Sequence, residues 1–120
     1  MEILKKQLEL SNRDYYKTHL SIINALLPVK LSPREIDVLS MFMSFNGDLG
    51  KDRFGATAKK FVRKEFNLSH SGLANYMKSL MGKGFIKKEG DSVIILPLLK
   101  PNIKYQLYQF KLVNKDGNIL

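Results

Sequence analysis

The chain has no cysteine and no tryptophan, two histidines, four prolines, and eleven acidic residues against twenty Lys and Arg. Without cysteine there is no disulfide, no thiolate zinc site and no cysteine nucleophile. His19 and His70 stand far apart with no ligand-like spacing around either, so neither a metal nor any other cofactor is expected. No apolar run approaches the length that crosses a bilayer, and Met1-Glu2-Ile3-Leu4-Lys5-Lys6 lacks the long apolar core of a signal peptide. The expected location is the cytoplasm, with no membrane partner. Catalysis also lacks its parts. Gly47-Asp48-Leu49-Gly50-Lys51 is too short for a phosphate loop. No carboxylate pair sits in an apolar setting, no Ser-His-acid set can be assembled, and the chain is not expected to be an enzyme.

What is present is clustered positive charge. The 120 residues fit one domain with a single core. A hydrophobic content of 44% with 26% charged residues excludes wholesale disorder. The isoelectric point is about 9.8, which suits a polyanion partner. Lysine outnumbers arginine sixteen to four, as a Lys-rich composition alone would produce, but that source predicts an even spread. Instead residues 51–88 hold ten Lys/Arg and two acids, eight of the nine net charges.

Residues 2–9 could form a short helix with Leu4 and Leu8 on one face. Ser11-Asn12-Arg13-Asp14 reads as a capping box opening a helix over 12–27, with Tyr16, Leu20, Ile23 and Leu27 in a stripe. Tyr15, Ile22 and Leu26 add a second apolar face, and Pro28 ends the element. Leu31-Ser32-Pro33-Arg34-Glu35 carries a cap, a proline at the first helical position and the closing acid, and predicts a helix to about Phe45. Asn46-Gly47-Asp48 predicts a turn. A helix over 55–66 is expected to bury Phe61, Val62 and Phe66 and to place Lys59, Lys60, Arg63 and Lys64 opposite. Glu65 falls on its apolar side, where a local ion pair is the one role available. A helix over 69–82 buries Leu73, Tyr76, Met77 and Leu80, with Ser71, Asn75, Lys78 and Gly82 outward. Phe85–Glu89 and Ser92–Leu98 form two strands about Gly90-Asp91, closed by Pro97 and Pro101. Residues 103–113 alternate with a slip in phase and read best as a bulged strand. Asn114–Leu120 is expected to fray.

The segment from Asn67 to Ile86 has the order of a helix-turn-helix running into a β-wing: turn, serine-capped helix, Gly82 and Gly84, strand. In such a unit the second helix enters the major groove and its first turns meet base edges. Ser69, His70, Ser71, Asn75 and Lys78 are suitably small or polar. Asn75 could pair with adenine and Lys78 with guanine or phosphate. Lys59, Lys60, Arg63 and Lys64 would hold the backbone, joined by Lys83, Lys87 and Lys88.

On these residues, 31–96 resembles a winged helix-turn-helix domain of MarR-like and related prokaryotic or phage regulators. The matching rhythm is Leu68-Ser69, then Leu73, Met77 and Leu80, then Gly84-Phe85-Ile86. Leu31-Ser32-Pro33-Arg34-Glu35 with Val38-Leu39 is also similar to LuxR-type domains, but the strands after Gly84 favour the winged form. Two departures stand out. Gly72 and Ala74 interrupt the polar series, leaving Asn75 at a commonly basic position, and the wing tip Glu89-Gly90-Asp91 is acidic, which speaks against sequence reading by the wing.

The expected architecture is α+β, with four to five helices and a β-hairpin wing. A helical extension spans 1–30, the winged domain 31–99, and a strand or arm 100–120. The resemblance implies a small regulator of transcription that binds double-stranded DNA as a homodimer, pairing through 12–27 and 103–113. A second expectation, of another class, is a protein-protein adaptor or assembly component, such as a phage virion or DNA-packaging subunit. Its location would then be the virion.

Overall fold

The structure, a computed structural model, describes residues 5–117. Among the described residues, five helices and one two-stranded antiparallel hairpin give an α+β architecture. In order these are α1 (Asn12–Asn24), α2 (Pro33–Ser44), α3 (Gly47–Lys51), α4 (Ala56–Phe66), α5 (His70–Gly82), β1 (Ile86–Glu89) and β2 (Ser92–Ile95). A single 3-10 turn, Pro97–Leu99, follows. Among the described residues no helix is long and apolar enough to cross a membrane.

Local chemistry fixes most of the boundaries. Ser11 caps α1 by accepting from the Asp14 N–H. At α2 both halves of a capping box form: Ser32 Oγ accepts from the Glu35 N–H at 3.2 Å, and Glu35 Oε1 accepts from the Ser32 N–H at 2.8 Å. Ser69 Oγ caps α5 by accepting from the Gly72 N–H at 3.0 Å. Asn67 ends α4 in the left-handed conformation (φ 52°). The Leu68 N–H then returns to the Arg63 carbonyl at 2.8 Å. The same closure ends α5, with the Phe85 N–H on the Leu80 carbonyl and Gly84 at φ 79°. Gly90, at φ 63°, supplies the tight hairpin turn between Glu89 and Ser92.

One core joins these elements. Leu20 and Leu27 meet Leu31, Val38, Leu39 and Phe42 of the α2 region, Ala58 and Val62 of α4, and Leu73, Met77 and Leu80 of α5. Phe85, Ile86, Ile95 and Leu99 seal it from the hairpin side. α1 is therefore integral to the core.

Several expectations are corrected. Residues 5–9 carry no helix, and the rest of the 2–9 segment lies outside the described residues. α1 stops at Asn24, three residues early. The Asn24 side chain bonds both the Leu31 N–H (2.8 Å) and the Leu31 carbonyl (3.0 Å), holding the 25–31 loop instead of continuing the helix. Asn46-Gly47-Asp48 opens the short helix α3. Phe61 is half exposed, because the core face of α4 is set by Ala58 and Val62 at a spacing of four, and Phe61 lies one position off it. Phe66 is partly buried and takes the guanidinium groups of Arg13 and Arg34 over its ring at 5.0 and 4.8 Å. Glu65 finds its partner in Arg13 at 2.8 Å. β2 ends at Ile95 instead of Leu98. Residues 103–113 form no strand. Leu99 is fully buried in the turn after Pro97 and directs the chain off the sheet, so the alternating residues meet no strand to pair with. Asn114 accepts from the Gly117 N–H in a closing turn, and 118–120 lie outside the described residues.

Arg53, one of the ten basic residues of the clustered segment, is committed to structure. Its Nη1 donates to the carbonyls of Phe42, Met43 and Phe45 at 2.7–2.9 Å, satisfying the orphan acceptors at the C-terminus of α2. Arg53→Ala is expected to lower the unfolding free energy by about 2 kcal/mol, since charge-assisted bonds are lost and the Met43 and Phe45 carbonyls lose this donor, while the Phe42 carbonyl keeps the Phe45 N–H. Urea denaturation monitored by circular dichroism reads the change. A loss below about 0.5 kcal/mol would mean that water replaces the cap.

Candidate nucleic-acid interface

α4, the turn at Asn67-Leu68 and α5 place the basic residues around one groove. Lys59 and Arg63, one turn apart on α4, form one wall. His70, Ala74 and Lys78 on α5 form the other, and Lys88 and Val93 of the hairpin close the end. Leu73, Met77 and Met81 lie along the floor, and the open groove has a volume of about 680 Å³. No acidic residue lines it. Lys59 and Arg63 are half-buried, and Arg63 Nε is shielded from solvent with no hydrogen-bond partner among the described residues. The terminal guanidinium nitrogens are therefore the part of Arg63 that an anion in the groove would meet.

The hairpin register explains which lysine joins the groove. Lys88 pairs with Val93 and Lys87 with Ile94. Successive side chains leave opposite faces of a strand, so Lys88 lines the groove with Val93 while Lys87 points away. On α4 the expected single basic face is split in two: Lys59 and Arg63 line the groove, and Lys60 and Lys64 form an exposed stripe beside it. On α5, Ser71, Asn75 and Lys78 are all exposed. Ser69 is occupied as the cap, with its hydroxyl also 3.2 Å from Ser71 Oγ. His70 is exposed at the first turn.

Lys83 does not join them. Its ammonium lies 2.5 Å from Glu35 Oε1 and 2.9 Å from the Lys30 carbonyl, so it ties the end of α5 to the start of α2. Glu35 also accepts from Ser79 Oγ at 2.7 Å. Burial alone would raise its pKa. The bonds from Lys83, the Ser32 N–H and Ser79 overcome that and hold the carboxyl at about 2.

Sequence reasoning missed Met81 and Val93 in the lining, since they lie on separate elements that only the hairpin's fold-back unites. Their nearest signal was the spacing of Met77 and Met81, one turn apart. Among the described residues no group of three or more His, Asp or Glu could hold a metal ion. The arrangement offers anion binding along a groove and exposed polar groups on a helix beside it. Comparison with known protein families, with curated proteins and with solved structures finds no match to this chain.

Proposed function

We propose that the chain is a winged helix-turn-helix protein that binds double-stranded DNA and regulates transcription, with α5 in the major groove and β1–β2 as the wing. One observation carries this reading: Lys59, Arg63, Lys78 and Lys88, from three elements, converge on one acid-free groove beside the exposed line Ser71–Asn75–Lys78. Phosphates placed along the groove would meet the four cations. Asn75 would then face base edges, where a bidentate pair with adenine discriminates sequence. Lys60 and Lys64 extend the positive surface along the backbone, and the acidic tip Glu89-Gly90-Asp91 keeps the end of the wing off it.

Fluorescence anisotropy on a labelled duplex tests the reading. About four phosphate contacts predict an affinity loss of about 100-fold between about 50 and 200 mM salt. Replacing Lys59, Arg63, Lys78 and Lys88 by Ala should flatten that dependence, and Asn75→Ala should weaken a preferred site by about 1–3 kcal/mol while sparing random duplex. Absence of binding at low salt sinks the proposal. A second reading, an adaptor or assembly component, is favoured by the exposed apolar arm after Pro101. It predicts no salt-sensitive binding and loss of a partner when 103–113 is removed.

A further inference from the structure

The chain after the hairpin does not pack as a domain's end usually does. The radius of gyration is 17.2 Å and the long axis 61 Å against 29 and 28 Å, whereas a compact domain of this length has a radius of about 14 Å. Two polar anchors tie the arm to the body. Tyr15 Oη donates to the Asn102 carbonyl at 2.5 Å, and His19 Nδ1 bonds the Tyr108 hydroxyl. Between and beyond these anchors Ile103, Tyr105, Leu107, Phe110, Leu112 and Val113 are each at least 65% exposed.

The anchors Tyr15 and His19 share a face of α1 and its extension with two apolar residues. Tyr15, His19, Ile22 and Leu26 follow one another at spacings of four, three and four, one stripe of a helix. The arm covers the first half of that stripe, and Leu26 beyond it is 73% exposed. Leu26 and the six exposed side chains of the arm together leave more apolar surface to water than the few hundred Å² that monomers ordinarily do.

We infer that this surface pairs with the same surface of a second copy, giving a two-fold dimer through α1 and the 103–113 arm. Two arguments select a copy of this chain over another partner. Six large apolar side chains plus Leu26 amount to roughly 800 Å² per subunit, which is what each side of a standard stable interface buries. A two-fold axis also presents each patch to itself, so a single apolar strip is complementary without a second matching surface. From 103 to 113 the only charges are Lys104 and Lys111, so the strip between them carries no charge that pairing would have to bury. No residue of α1 or of the arm lines the basic groove, and the pairing leaves it open in both copies. The inference therefore stands whether or not the groove binds DNA.

Sedimentation equilibrium of the full chain across micromolar concentrations tests the dimer. The expected result is a species of twice the 13.8 kDa chain mass. Leu112→Asp and Leu26→Asp, each at an exposed position, should each raise the dimer dissociation constant by 100-fold or more with unchanged circular dichroism. A wild-type chain that stays monomeric at about 100 µM overturns the inference, because an interface of standard size should be populated there. A dimer indifferent to both substitutions overturns it equally. Co-sedimentation of a monomeric chain with anionic phospholipid vesicles, lost in Leu112→Asp, would assign the strip to a lipid surface instead.

Discussion

Glu35→Ala is expected to lower the unfolding free energy by about 3–4 kcal/mol at neutral pH, a large share of the 5–15 kcal/mol typical of a domain. Glu35 is 2% exposed and is the one acceptor shared by the α2 N-terminus, Ser79 and Lys83. Alanine removes the reciprocal half of the capping box, orphans the Ser32 N–H and leaves the Lys83 ammonium near the core without its counter-charge. The pH dependence gives a sharper test. The folded carboxyl titrates at about 2, below its ordinary 4.5. Its contribution is thus fully present above the ordinary value and is lost as pH falls through about 2. That shift corresponds to about 3 kcal/mol by linkage. Urea denaturation at pH 7 and pH 2.5 should therefore show the difference between wild type and Glu35→Ala shrinking steeply in acid. His19 does not confuse the comparison. Burial lowers its pKa, against a weaker opposing pull from the Leu99 backbone, so its penalty grows as pH drops below the ordinary histidine range, equally in both proteins. A difference that is constant with pH would remove the ion pair from the account.

How much of this was legible in the sequence depended on the range of the interaction. The capping box at Ser32 and Glu35, the serine cap at Ser69, the release at Gly84 and the hairpin at Gly90 are encoded within about six residues, and each forms where the pattern placed it. Val62, Leu73, Met77 and Leu80 were legible as core because helical spacing puts them on one face. What escaped was tertiary. Glu35 reads locally as a cap, and nothing near it announces Lys83, 48 residues away. Lys83 itself reads as one more cation of a basic cluster. Arg53 likewise sits among lysines and serves the end of a helix eight to eleven residues upstream. For 103–113 the alternation was real, but alternation describes side chains, and a strand also needs a neighbour's backbone. Of the candidate interface, Lys59, Arg63, His70 and Lys78 were found from the helix positions. The division of Lys87 from Lys88 needed the strand register, and the end of the groove at Val93 needed the hairpin folded against α5.

Phe42→Ala is expected to cost about 3–5 kcal/mol and to lower the melting temperature by roughly 15 °C. Phe42 is fully buried in α2. Its ring lies 4.7 Å from that of Phe54, tilted by 31°, and meets Phe45 edge-on at 6.1 Å. Alanine would leave a cavity between the Phe45 and Phe54 rings and forfeit both ring contacts, beyond the transfer free energy of the lost atoms. Phe54 and Phe45 flank the α3 segment, whose backbone is held to α2 by Arg53 through the Phe42, Met43 and Phe45 carbonyls. The void would therefore open beneath that cap, and the two defects should couple. In a double-mutant cycle Phe42→Ala with Arg53→Ala should differ from the sum of the single losses by at least about 0.5 kcal/mol, as contacting sites do. Phe42→Leu, which keeps most of the volume, should cost no more than about 1.5 kcal/mol. If alanine costs as little as leucine, Phe54 swings into the space and this end of the core is plastic. If the cycle closes additively, the cap and the aromatic cluster hold α2 independently. The basic groove lies on α4, α5 and the hairpin, so under the proposed function duplex affinity measured well below the melting temperature should be unchanged in either outcome.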